Sequence, residues 1–175
     1  MKLRLLAIGL CAALSACADV YPEPPAAPSP SARATAGFSP SEFAWSTGHG
    51  SATVRGLVDY NQGARRFSCA GQAVLTPDAP YSRRRILQLY GSTERAALPV
   101  DEVRSRQANR PSDDYSAYVR RTGCDADGRF VFSGLPAGGW FVIVVAQPAN
   151  GGGSAIALMR RVETGPGSVR TVVLQ

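Results

Sequence analysis

The sequence predicts an all-β fold, an antiparallel β-sandwich, and three observations carry that prediction. Phe130 and Phe132 stand two apart within residues 129–133, which is the strand period. Residues 140–146 (WFVIVVA) are continuously apolar, as a central strand buried on both faces requires. Turn chemistry recurs at short intervals: Asp125-Ala126-Asp127-Gly128, Gly134-Leu135-Pro136-Ala137-Gly138, residues 150–153 and Gly165-Pro166-Gly167. Short strands separated by frequent turns describe such a sandwich.

The elements follow in chain order. Ordered structure is expected from Phe38 to Trp45 onward. Residues 51–60 (SATVRGLVDY) alternate, with Val54, Val58 and Tyr60 on one parity. Residues 73–75 form a short apolar run ended by Pro77. Residues 81–90 (YSRRRILQLY) predict a short helix with Ile86, Leu87 and Tyr90 on one side. Residues 91–113 are polar, charged from Asp101 to Arg106, and read as a long surface excursion with a helical turn, so that a short helix and an excursion occupy 81–113. Residues 115–122 are rich in aromatic and β-branched types and predict a strand, as do residues 129–133, 140–146, 155–162 and 169–174. No internal repeat of useful length is present.

The first 37 residues are of another kind. A positive start, Met1-Lys2-Leu3-Arg4, precedes an apolar stretch from Leu5 to Leu14. That stretch is too short to span a bilayer, which takes roughly 20 residues as a helix. A charged start, a short apolar core and small residues make a secretory signal. It ends Leu14-Ser15-Ala16-Cys17, which resembles the lipobox of bacterial lipoproteins. The resemblance implies a signal peptide over residues 1–16, cleavage before Cys17, and a diacylglyceryl group on the Cys17 thiol. Ala18 after the cysteine implies sorting to the outer membrane, with the domain facing the periplasm. The expected membrane contact is through this lipid. An ordinary signal peptide cut at an A-x-A-like site is the alternative. Residues 17–37 then hold Pro22, Pro24, Pro25, Pro28 and Pro30 among Ala and Ser, a tether favouring extended conformations. Residues 38–175 remain as a single domain.

Cleavage removes 16 of the 175 residues, with Lys2 and Arg4, so 159 residues remain and the formal charge falls from +6 to +4. That length suffices for one core. Lys2 is the only lysine, so every basic side chain of the mature chain except His49 is an arginine. Arginine pairs bidentately with carboxylate and phosphate, although GC-rich coding explains the bias more simply. Cys11 leaves with the signal and Cys17 takes lipid. Cys69 and Cys124 remain, and in an oxidising compartment an even pair predicts a disulfide. Free or metal-binding thiols are the alternative, without histidines nearby to support them.

Residues 124–140 read C-D-A-D-G-R-F-V-F-S-G-L-P-A-G-G-W. This resembles the carboxypeptidase-regulatory-like (transthyretin-like, prealbumin-like) domain. There an Asp/Gly turn leads into an F-x-F strand, and L-P-A-G turns into a strand carrying an aromatic. Phe130, Phe132, Leu135, Pro136, Gly138 and Trp140 fill those places. The resemblance covers roughly residues 48–175 and implies a Greek-key β-sandwich. It implies no particular function, because that fold hosts many.

Known chemistries of such folds find no support. Intradiol dioxygenases hold iron with two Tyr and two His, and hydroxyisourate hydrolases use several histidines; this chain has only His49, in Gly48-His49-Gly50. No H-E-x-x-H and no G-x-S-x-G occurs. Asp125 to Gly128 resembles the opening of a calcium loop, but position twelve is Pro136 where a glutamate is needed. Gly151 to Gly153 lacks the Gly-Lys-Ser/Thr of a phosphate loop. Neither a metal nor a cofactor is expected. Asp113 and Asp114, as neighbours on a strand, point to opposite faces and make a poor acid/base pair for a hydrolase. The expected function is therefore a non-enzymatic envelope module that binds a protein or polysaccharide, not nucleic acid. Its contact surface is expected between Tyr81 and Arg106, centred on Tyr81, Arg83, Arg84, Arg85 and Tyr90. A structural subunit of an envelope complex, with no ligand of its own, is the alternative; an unrecognised hydrolase is a remote one.

Overall fold

The computed structural model describes residues 37–108 and 115–175. Cys17, the signal and the tether lie outside the described residues, as do Asp113 and Asp114. Two sheets form a β-sandwich. In chain order the strands and helices are β1 (Ala52–Val58), β2 (Tyr60–Gln62), β3 (Arg65–Pro77), α1 (Pro80–Tyr90), β4 (Arg95–Pro99), α2 (Val100–Ala108), β5 (Arg120–Gly123), β6 (Arg129–Leu135), β7 (Gly138–Pro148), β8 (Ile156–Thr164) and β9 (Val169–Leu174). Among the described residues no helix is long and apolar enough to cross a membrane.

The smaller sheet has the order β6-β1-β9. The larger runs β2-β3-β7-β8-β4, with β5 added on β3. On one edge of β3, its first residues pair with β2 and its later ones with β5. One pairing departs from the antiparallel expectation: β1 and β9 run parallel, from Thr53 opposite Val169 to Val58 opposite Leu174.

The core between the sheets is apolar and dry. Ala73 and Leu75 of β3, Trp140, Val142, Val144 and Ala146 of β7, and Leu158 of β8 meet Val54, Phe130, Phe132, Leu135, Val172 and Leu174 from the smaller sheet. Phe130 and Phe132 pack edge to face, their centroids 5.9 Å apart. A Cβ on Gly56 would lie 1.9 Å from the Phe130 ring, so glycine there lets the ring rest on the β1 backbone.

Alternate residues of the larger sheet face the other way. Phe141, Ala157 and Met159 are buried there under Ile86, Leu89, Tyr90 and Val103 of the two helices. The apolar run at 140–146 is thus buried on its inner face, and on its outer face Phe141 is buried while Ile143 and Val145 are half-buried. Helix α1 starts with Pro80, whose missing N–H costs nothing in the first turn. The Ser82 hydroxyl accepts the Ala79 N–H at 3.0 Å, and Gly91 closes the helix at φ 73°.

Three expectations need correction. Residues 115–122 are not one strand: 116–118 form a 3-10 turn, and β5 starts at Arg120. The reason is tertiary, because Tyr115 and Tyr118 leave the sheet to stack on Phe43, at 5.8 and 5.0 Å. The excursion at 91–113 contains regular structure, an edge strand and a second helix. Each buries little: Ala96, Ala97 and Leu98 of the edge strand are half-buried, and α2 buries Val103 alone. The apolar run at 73–75 is the end of a 13-residue strand, irregular between Cys69 and Ala73.

Candidate functional site

The expected disulfide is formed. Cys69 and Cys124, 55 residues apart in sequence, are bonded with Cα atoms 6.3 Å apart. It joins the irregular stretch of β3 to the residue after β5, where the Cys124 N–H donates to Gly71 O at 3.0 Å. The bond fastens β5 to the sheet.

Beside β5 lies a groove. Its floor follows from strand register. Arg121 of β5 stands opposite Val74 of β3, Val74 opposite Ile143 of β7, and Ile143 opposite Met159 of β8. These residues share the face turned away from the sandwich core. A helix is about 10 Å across and strands lie about 4.8 Å apart, so one helix roofs about two strands. Helices α1 and α2 rest over β7, β8 and β4, and among the described residues no helix covers the β3–β5 side. The resulting open groove has a volume of about 420 Å3. Val74, Thr76, Ile143, Val119 and Arg121 line it from the sheet side, Arg85 and Leu89 from α1, Gln107 from α2, and Tyr115 and Ser116 from the segment before β5.

Tyr115 is held in place by aromatic neighbours. Its ring stacks on Phe43 and meets Tyr81 edge-on at 5.6 Å. Phe38, Phe43, Tyr81 and Tyr118 extend this cluster. Burial raises the Tyr115 phenol pKa; the nearby Arg85 charge opposes that rise, and Tyr81 adds to it. Burial, with a smaller effect of Tyr115, pushes the Tyr90 phenol up to about 12.

The five residues expected at a contact surface divide among different tasks. Arg83 Nε donates to Asp78 Oδ1 at 2.8 Å. Asp78 is only 2 % exposed, and it also accepts Arg161 Nε at 2.7 Å. Arg161 in turn reaches Glu163 at 2.6 Å. Arg83 therefore serves a charge network tying the start of α1 to β8. Tyr81 belongs to the aromatic cluster, and its N–H donates to Glu42 Oε2 at 3.2 Å. Tyr90 is buried under the helices. Arg84 is half-buried. Arg85, only 5 % exposed, is the one of the five that lines the groove.

Several groove residues escaped the sequence reading: Val74, Thr76, Gln107, Tyr115 and Arg121. A usable signal existed for two. Val74 and Thr76 have the parity opposite to Ala73 and Leu75, so strand alternation turns them to the outer face, where Val74 is half-buried and Thr76 buried.

The remaining candidates are structural or exposed. His49 is exposed, beside a pocket of about 250 Å3 with Ser46, Thr47, Ala117, Tyr118 and Arg120. The Ser46 hydroxyl donates to Phe43 O at 2.7 Å. Arg120 lies over the Trp140 ring at 5.7 Å and donates to Ser46 O and Gly48 O at 2.9 and 3.1 Å, which clamps the entering chain to the sandwich. Asp125 Oδ1 accepts the N–H groups of Asp127 and Arg129, at 3.0 and 2.7 Å, so this aspartate shapes the hairpin turn. Among the described residues no cluster of His, Cys, Asp or Glu is suited to a metal.

No protein-family profile matches the chain. No curated protein matches it by sequence. Its fold is similar to a crystal structure from Pseudomonas aeruginosa described as a "putative carbohydrate binding protein". The TM-score is 0.54 and the identity 19 %, over 78 % of this chain and 96 % of the other. At that identity the likeness is one of fold.

Proposed function

We propose that the protein is an envelope lipoprotein, lipidated on Cys17, whose transthyretin-like sandwich binds a saccharide without transforming it. The observation that carries the binding is the groove between α1 and β5. An apolar floor of Val74 and Ile143 suits the C–H face of a sugar ring, and Thr76, Gln107, Arg121 and the Tyr115 phenol offer hydrogen bonds around it. The Pseudomonas aeruginosa protein of similar fold is described as carbohydrate binding, which favours a glycan over a protein partner. The groove lining supplies no His, Cys, Asp or Glu among the described residues, which favours binding over hydrolysis. The lipobox and the proline-rich tether support an outer-membrane anchor.

Titration of the purified full chain with a panel of oligosaccharides tests the groove. Binding that weakens in Arg121→Ala and Gln107→Ala is expected, and no heat with any saccharide overturns the reading. The anchor is tested separately: labelled palmitate should enter the wild-type chain and not Cys17→Ser.

A second reading rests on one observation. Tyr81, Tyr90 and Arg83 are all committed to internal packing or pairing, as a purely structural subunit would have them. Crosslinking in intact envelopes separates the two. Under the structural reading, partner recovery survives every groove substitution.

A further inference from the structure

We infer that a cleft at the other end of β3 from the groove is a second saccharide site, taking a neutral sugar by two adjacent hydroxyls held between Asp59 and Arg66. It extends the saccharide reading to a second place on the chain. It shares no lining residue with the groove, so the two sites stand or fall separately.

The cleft lies where the chain changes sheets. β1 ends at Val58 in the smaller sheet, and Asp59 leads across to β2 in the larger one. Arg66 and Ser68 come from the start of β3, and Asp127 and Arg129 from the turn into β6. The cleft between them measures about 500 Å3, within the roughly 300–1,000 Å3 of small-molecule sites. Each wall is fixed by its backbone. The Asp59 N–H donates to Leu174 O at 2.9 Å, and the Ala149 N–H donates to Arg66 O at 3.0 Å. The Asp125 carboxylate shapes the turn, which is tied to β1 by the Val58 N–H donating to Gly128 O at 3.0 Å.

The charges in the cleft decide its ligand. Asp127 and Arg129 pair with each other. Asp59 and Arg66 are both exposed, and among the described residues neither side chain makes a hydrogen bond or an ion pair. They bring opposite charges from opposite sheets, and each offers half of what a hydroxyl uses. A carboxylate only accepts, a guanidinium only donates, and a hydroxyl does both. Of two neighbouring hydroxyls on one ring, one can donate to Asp59 while the other accepts from Arg66, and both bonds are charge-assisted. The charged groups of the lining, two of each sign, sum to zero, so no excess field draws in an acid or an amine. Buried Val58 and Phe67, with half-buried Leu57, give the C–H face of a ring an apolar bed.

The cleft and the groove lie about 25 Å apart along β3, at roughly 3.3 Å per residue. Two such sites let one chain hold a polymer at two places, which strengthens retention without a tighter contact at either.

The test follows backbone amide shifts of the isotope-labelled full chain by NMR. Maltotriose, cellotriose and mannotriose serve as neutral probes and trigalacturonate as the acidic one. At least one neutral trimer should shift the Asp59, Phe67 and Gly128 amides saturably, and trigalacturonate should shift them less at equal concentration. Asp59→Asn and Arg66→Gln should each weaken that binding roughly 5- to 10-fold, the loss of one charge-assisted hydrogen bond at a wet site. Both positions are exposed, so the fold survives either change. Arg95→Gln removes an exposed arginine on β4, outside the cleft, and should leave the cleft shifts as they are. Saturable shifts confined to Val74 and Thr76 overturn this inference and leave the saccharide reading standing. Cleft shifts that survive both cleft substitutions, or that trigalacturonate produces more strongly, overturn it too. No shift at either place with any of these probes also overturns it, and the wider oligosaccharide panel then decides the groove.

Discussion

The larger sheet has two faces, and they solve different problems. Its inner face packs on the second sheet along β3, β7 and β8, and Trp140, Leu75 and Val142 are fully buried there. Its outer face meets two helices that cover β7, β8 and β4 only. The same strands carry both faces by alternation, so Leu75 is fully buried while its neighbour Val74 is half-buried at the edge of a groove. The middle strands are sealed where sheet meets sheet, whereas the two helices on the outer face leave a strip bare among the described residues. The groove proposed to bind a saccharide is the part of the outer face that the two helices leave bare among the described residues.

The side without helices relies on a covalent tie, which makes the disulfide the largest expected effect. Replacing Cys69 and Cys124 by alanine should cost about 4 kcal/mol on the loop-entropy account for a 55-residue separation. It should also loosen β5 and so weaken saccharide binding. Denaturant melts with and without reductant read the first, and unchanged reduced-state affinity would show that β5 does not need the bond to shape the groove.

The inner face is tested by Leu75→Ala, expected to cost about 3 kcal/mol in denaturant unfolding because the surrounding sheets cannot collapse onto the cavity. The covered part of the outer face is tested by pH. The fold holds the Tyr90 phenol at about 12, above its ordinary value of 10.0, and so favours the neutral form. That contribution is complete below pH 10 and is lost as pH rises toward 12, amounting to about 2 kcal/mol by pH 12. Tyr90→Phe should flatten the stability profile in this window. Parallel profiles from pH 9 to 12 would mean that Tyr90 is wetter than its position under the helices implies.

The smallest effects belong to the open strip. Val74→Ala should cost about 1 kcal/mol, well under its neighbour Leu75, because water already reaches the site. A cost matching that of Leu75 would show the groove closed in solution. Arg121→Ala should change stability by less than about 0.5 kcal/mol while weakening saccharide binding in the groove.

Much of the sandwich was legible beforehand because its signals are local. Phe130 and Phe132 at strand period, the apolar run at 140–146, and the glycine and proline turns need no knowledge of partners. The helix from Pro80 to Tyr90 was legible too, within one residue of its start. The edge strand Arg95–Pro99 and the helix Val100–Ala108 were not, since each buries too narrow a strip to imprint a period. Tyr115 and Tyr118 carry strand propensity, yet Phe43, distant in sequence, draws them into a turn. The groove was legible only in one residue, Arg85, taken for part of an exposed basic cluster whose members in fact face Asp78, a half-buried site and the groove.

By itself the sequence determined that residues 38–175 would form two layers of strands, and it determined which cysteines could pair. Hydrophobic period, turn residues and the parity of cysteines are properties of neighbours along the chain. Tertiary structure alone decided that β1 and β9 run parallel and that Asp78 gathers Arg83 and Arg161. It also decided that the helices stop short of β3 and β5. Those outcomes depend on which surfaces meet and how much each can cover, and no stretch of chain records the width of the element that packs on it.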